Sequence, residues 1–235
     1  MSDPAVRIAE NLARIHQQIA QAAAASGRSA AEVRLVAVTK YADAALARRL
    51  VAAGCRELGE SRPQELWHKA AELADLPLAW HLVGHLQRNK VRPTLPLVSL
   101  IHSVDSDRLL AEIDRAAAHL GRRVRVLLEV NVSGEPAKHG FSPVEVADVV
   151  TRMADYPQVE LRGLMTMAGL AGGRTTARRD FARLRTLRDW LQRRSPPGVS
   201  LAELSMGMSG DFDLAIAEGA TLVRIGSALF EGVAD

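Results

Sequence analysis

Several things are scarce in this chain, and each shortage excludes a class of protein. There is one cysteine in 235 residues, Cys55, so no internal disulfide can form and no thiolate zinc cluster can assemble. A lone cysteine of this kind reads as a small buried hydrophobe. Aromatics number four Phe, three Trp and two Tyr, too few for the stacking platforms on which single-stranded nucleic acid is bound. The formal charge is +3, which creates no general attraction for a polyanion. No apolar run approaches the roughly 18 residues of a membrane span. The opening MSDPAVRIAE lacks the basic start and apolar stretch of a signal peptide. A soluble, monomeric protein of the cytoplasm is expected, with neither nucleic acid nor membrane as a partner. Lysine is scarce too: of 30 basic side chains only four are lysines.

What is present is an alternation of strand and helix patterns. An amphipathic N-terminal helix carries Ile8, Leu12, Ile15 and Ile19 on one stripe. Strand patterns follow at Val33–Lys40, Arg56–Glu60, Ala79–Gly84, Leu100–Val104, Val124–Val132, Leu161–Met167, Ala202–Met206 and Leu222–Gly226. Helical patterns lie between them, several with start signals, as at Ser142-Pro143 and Ser106-Asp107. Eight strands alternating with helices, without a linker or composition break, point to one domain over 1–235. The expected fold is a single (β/α)₈ TIM barrel with an extra N-terminal helix; a doubly wound open sheet is the alternative. The one basic run, Arg174 to Arg194, has Phe181, Leu184, Leu187 and Leu191 at helical spacing. It reads as a solvated helix face, with an anionic partner as the other reading.

In such a barrel the C-terminal strand ends form the active face. Here they carry Thr39-Lys40, Gly59-Glu60-Ser61, His81 near Gly84, Asn131, Met165-Thr166-Met167, Ser205-Met206-Gly207-Met208-Ser209 and Arg224-Ile225-Gly226-Ser227. The last two loops, SMGMSGD and RIGSA, put glycine and serine where strand turns to helix. Outward N–H groups there suit an anion, and phosphate sites in barrels commonly follow strands 7 and 8. Tight turns alone are the plainer explanation for each loop. Opposite a phosphate cradle, a buried Lys40 with its pKa lowered from about 10.4 suits an imine with a phosphorylated aldehyde, pyridoxal 5′-phosphate (PLP) first among them. A lysine that snorkels into solvent is the other reading.

The stretches VAVTKY, GESRPQE, WHLVGHLQRNK, IHSVD, LEVNVSGEPAKHGF, LRGLMTM and LSMGMSGDFDLAIAEGATLVRIGSALFEG, in order from Val33 to Gly232, resemble the pyridoxal-phosphate homeostasis protein family. The fold of that family is similar to the barrel domain of alanine racemase. The resemblance implies a Schiff base between PLP and Lys40. It implies phosphate contacts from Ser209, Gly226 and Ser227 with Ser205 and Met206 nearby, and Arg224 facing the pyridine nitrogen. His81, Ser61, Asn131 and Met167 would line the pocket. Ser61 departs from the family pattern, in which many members read GEN where this chain reads GES.

A guanidinium cannot accept a proton, so an arginine leaves the ring nitrogen unprotonated and weakens the electron sink. Racemisation could survive that, given a second base on the opposite face. Strand alternation turns Tyr41 away from Lys40, Tyr156 lies at the far end of the barrel, and the chain ends soon after Gly232 with no second domain to close the site. A regulator that stores PLP, or delivers it to apo PLP-dependent enzymes or free amino acids, is therefore expected rather than an enzyme. A racemase-like enzyme is the alternative, and an aldolase using Lys40 on a sugar phosphate lies further off. His81 and His85 have no third ligand nearby in the sequence, so no metal site is expected.

Overall fold

The computed structural model describes residues 3–135, 138–169 and 172–233. After helix α1 (Pro4–Ala25), the strands are β1 (Arg34–Val38), β2 (Glu57–Glu60), β3 (Ala79–Leu82), β4 (Val98–Val104), β5 (Val124–Glu129), β6 (Val159–Met165), β7 (Glu203–Ser205) and β8 (Leu222–Ile225). The helices between them are α2 (Ala44–Ala52), α3 (Pro63–Glu72), α4 (Val91–Thr94), α5 (Asp107–Leu120), α6 (Pro143–Thr151), α7 (Gly173–Gln192) and α8 (Phe212–Ala217). All strand neighbours pair parallel, in chain order, and β8 returns to β1. This is the closed (β/α)₈ TIM barrel, with α1 as the added element.

Local chemistry accounts for most element boundaries. Asp3 accepts a hydrogen bond from the N–H of Ala5 and Pro4 opens α1, so one orphan donor is satisfied and one removed. Ile8, Leu12, Ile15 and Ile19 are buried, and the stripe packs α1 on α2 and α8. Ser142 and Glu145 form a reciprocal capping box on α6. Ser106 does not cap α5; its hydroxyl donates to Asp105 instead. Cys55 is buried as expected, and burial pushes its thiol up to about 11. The arginine-rich α7 buries Phe181, Leu184 and Leu191 and turns most of its cations outward. No helix among the described residues is long and apolar enough to cross a membrane.

Inside the barrel the side chains fall into layers, because alternate residues of each strand point inward. At the N-terminal end, Arg34, Glu57, Ala79, Arg125, Arg162 and Glu203 surround a small cavity. The middle holds Val36, Leu100, Leu127, Met165 and Leu222 together with buried His81, His102, Ser205 and Arg224. Gly163 lets this stack close. It follows a bulge between β5 and β6, has φ +155°, and a Cβ there would meet Glu203 O at 1.9 Å.

The strands stop sooner than their hydrophobic patterns suggest. β1 ends at Val38 rather than Lys40, β3 at Leu82 rather than Gly84, and β5 at Glu129 rather than Val132. The short helix α4 has no counterpart in the sequence reading. Early strand ends decide which side chains reach the mouth.

Candidate functional site

The C-terminal mouth holds a cavity of about 440 Å³. One wall comes from Met208, Ser209, Gly210, Gly226 and Ser227, in the loops after β7 and β8. The hydroxyl of Ser209 accepts from the N–H groups of Gly226 (3.3 Å) and Ala228 (3.4 Å), which ties the two loops together. Gly226 sits close to β1: a Cβ there would make a tight 3.1 Å approach to Val38 O. Arg224 forms the floor. It is buried and donates from Nη1 to Ser205 Oγ (2.6 Å) and from Nη2 to Thr166 O (2.9 Å). Burial lowers its pKa to about 10, with Glu129 and Asp211 pulling the other way, so it stays cationic at neutral pH.

Lys40 follows β1, the strand that pairs with β8, and is exposed rather than buried. The turn after Val38 lifts it above the last barrel layer, and its Nζ lies 4.7 Å from the centroid of the Tyr41 ring. Tyr41 therefore lines the same cavity as Lys40. This corrects the expectation that alternation turns the tyrosine away: residues 39–42 are no longer strand, so the rule does not reach them.

A buried ion pair under that turn holds it. Glu60 points out of the barrel toward α3, where Oε1 accepts from Lys69 Nζ (2.6 Å) and from Thr39 Oγ1 (2.6 Å). Lys69 also donates to Thr39 O at 2.7 Å. Thr39 is thus clamped through its side chain and its carbonyl, one residue before Lys40.

The cavity brings together seven of the residues selected from sequence: Lys40, Ser61, Met167, Ser209, Arg224, Gly226 and Ser227. Four others are elsewhere. His81 lies one layer down, bonded to His102. Ser205 is fully buried beneath Arg224, and Met206 is buried in the core between barrel and helices. Asn131 folds its own loop, donating to Glu135 O and accepting from Ser133 Oγ and Gly134 N. Sequence reasoning missed Glu129, His85 and His139, which line the cavity. Glu129 is the last residue of β5, with its pKa raised by burial and by the charge of Asp105; an earlier strand end would have selected it instead of Asn131.

His85 does have neighbours with ligand atoms, contrary to the sequence reading. Asp105 and His139 bring theirs within 4.8 Å of it and of each other. Tetrahedral zinc at ~2.0–2.1 Å from its ligands needs donors about 3.3 Å apart. Here His85 Nδ1 instead bonds Asp105 Oδ2 at 3.0 Å, and the His85 and His139 rings stack at 4.9 Å. Both histidines line the mouth cavity.

Comparison with known proteins defines the class first. The model of the alanine racemase N-terminal domain family matches residues 10–233. Alanine racemase from Streptomyces coelicolor superposes with a TM-score of 0.73 at 19% identity, covering 96% of this chain and 58% of that one, a likeness of fold alone. The pyridoxal phosphate homeostasis protein of Pseudomonas aeruginosa is 43% identical over 95% of this chain and 94% of its own length. That of Aquifex aeolicus is 40% identical over 94% and 96%. PipY of Synechococcus elongatus, solved with PLP bound, is 42% identical with a TM-score of 0.84, covering 95% of this chain and 99% of that one. The chain belongs to the pyridoxal phosphate homeostasis protein family.

The clamp predicts a specific stability pattern. Lys69→Met should cost about 3–5 kcal/mol by leaving Glu60 buried without its partner. Lys69→Met with Glu60→Leu should recover much of the loss. Urea unfolding of the parent, the single and the double variant measures both.

Proposed function

We propose that this protein binds PLP in the mouth cavity, holds it as a Schiff base on Lys40 and serves PLP storage or delivery in the cytoplasm. The observation that carries this reading is that one amine, Lys40, lines a single cavity together with the cationic floor of Arg224 and the Ser209–Gly226–Ser227 wall. The residues suit the group chemically. The wall offers hydroxyl and backbone N–H donors to a phosphate, and the amine can join an aldehyde with loss of one water. Likeness to PLP-bound PipY supports the same reading. When bound, PLP supplies a reactive aldehyde and an electron-withdrawing ring; Arg224 restricts the second by offering the ring nitrogen no proton.

Tyr41 favours a second reading, a racemase-like enzyme, because a phenol stands in the pocket after all. The carrier reading is preferred on its position. The Tyr41 ring rests against Lys40, on the lysine's own side, whereas racemisation needs its second base on the opposite face. Glu129 is held by burial at a raised pKa and lies on the cavity wall, so it is the residue to vary if exchange is found. Apo PLP-dependent enzymes and free amino acids are the proposed recipients, and the protein is proposed to work as a monomer.

Three measurements test this. Purified protein supplied with PLP should be yellow, and borohydride should fix the cofactor to the peptide containing Lys40; covalent attachment retained in Lys40→Ala would sink the assignment. Ser209→Ala should weaken PLP retention by at least about tenfold, since a hydrogen bond to a charged group contributes roughly 1.5–3 kcal/mol; titration with pyridoxal, which lacks the phosphate, should show little difference between parent and variant. Incubation with L-alanine in deuterated water should give no rapid α-deuteration by NMR. Turnover within the usual ~1–10³ s⁻¹ range would decide for the racemase.

A further inference from the structure

We infer that Ser205, His102 and His81 form a hydrogen-bonded chain of fixed direction that runs down the barrel from Arg224 at the mouth to His81, which faces the Glu57 carboxylate, and that they are positioning residues for the Arg224 guanidinium. The contacts are short and buried. Arg224 Nη1 is 2.6 Å from Ser205 Oγ, Ser205 Oγ is 2.8 Å from His102 Nδ1, and His102 Nε2 is 2.9 Å from His81 Nδ1. His81 Nε2 then faces Glu57 Oε2 at 3.4 Å, an electrostatic approach to a buried oxygen that accepts no hydrogen bond from the described residues. Glu57 Oε1 is held separately, 3.4 Å from Arg34.

The direction follows from the ends. A guanidinium has donors only, so Ser205 Oγ must accept from Arg224. The hydroxyl has one hydrogen to place, and its other contact is His102 Nδ1. That nitrogen accepts, which puts the His102 proton on Nε2. Nε2–H points at His81 Nδ1, so His81 also carries its proton on Nε2, facing the Glu57 carboxylate. Burial pushes His81 down to about 3 and His102 well below the ordinary histidine value, the latter helped by neighbouring cations, so each ring has one proton to assign. The reverse direction needs a protonated Glu57 and leaves the Ser205 hydrogen aimed at Arg224, another donor. Only one arrangement gives each of the three hydrogen bonds one donor and one acceptor and turns the last N–H toward the carboxylate.

For Arg224 the chain has a definite consequence. Ser205 is one of two anchors on the guanidinium, the other being Thr166 O. With its hydrogen committed to His102, Ser205 turns a lone pair toward Nη1 at all times. Its oxygen is further polarised by a row of dipoles that ends on a carboxylate. The guanidinium is thereby fixed in rotation, at the floor of the cavity, in the one place where it can face a ring nitrogen.

The chain's direction does not depend on PLP, whereas the positioning role rests on the reading proposed above, and the two are tested separately. In apo protein labelled with ¹⁵N-histidine, long-range ¹H–¹⁵N correlation should show His81 and His102 as neutral Nε2–H tautomers from about pH 6 to 8. His81→Gln and His102→Gln assign the signals. An Nδ1–H or doubly protonated ring at either position overturns the chain. Ser205→Ala removes only an oxygen. It should release His102 from a single tautomer, raise the Kd for PLP about tenfold or more and shift the absorption maximum of the bound cofactor. Parental PLP affinity and absorption in Ser205→Ala overturns the positioning role. A parent that binds no PLP defeats the proposed function instead, and the tautomers still decide the chain.

Discussion

Glu60, Lys69 and Thr39 set the position of the amine on which the whole site turns. A carboxylate and an ammonium, both almost without solvent contact, meet at 2.6 Å on the outer side of the barrel. Taking two such charges out of water costs several kcal/mol per ion, so the pair adds little net stability over an apolar pair of the same shape. What it adds is geometry. Both partners bond to Thr39, one through its hydroxyl and one through its carbonyl, and that residue can neither slide nor twist. The next residue, Lys40, therefore leaves the barrel at one place and in one direction. A flexible lysine on a fixed base keeps its amine within reach of the cavity while leaving it free to turn.

The barrel interior follows a similar logic. A purely apolar filling would stabilise the fold more simply, and the middle layer does contain Val36, Leu100, Leu127, Met165 and Leu222. Arg224 interrupts it. A buried guanidinium demands acceptors, and the chain supplies Ser205 and the Thr166 carbonyl for two of its nitrogens. Ser205 in turn requires a partner for its hydrogen, His102 one for its own, and so the polar path continues down to the charged ring of the N-terminal face. One cation placed at the mouth commits four further side chains below it.

This explains which parts of the site were legible in the sequence. Local patterns show where a strand begins and which residues are apolar, so the eight strands and the barrel could be read directly. Patterns do not show where pairing stops. Valines continue past the end of β5, at Val130 and Val132, and a strand extended through them ends on Asn131 rather than Glu129. The same overrun carried strand alternation through Lys40 to Tyr41 and assigned the tyrosine to the wrong side. Lys69 was invisible for a different reason: on a helical pattern a lysine reads as surface, and only the packing of α3 on β2 makes it the counter-ion of Glu60.

His81, Ser205 and Asn131 were singled out from sequence as pocket residues, and none of them lines the pocket. Their polarity is not incidental all the same. His81 and Ser205 support the arginine that does line it, and Asn131 orders the turn just after β5 by accepting the N–H of Gly134 and donating to Glu135 O. Polar residues at barrel strand ends report on a site even when they are one layer removed from it. A bare Arg224, or a bare Lys40 turn, would relax into whatever hydrogen bonds lay nearest. Each is braced by buried partners, Lys40 through the clamp on Thr39 and Arg224 through Ser205 and the Thr166 carbonyl, and that bracing holds the amine and the cation to one cavity.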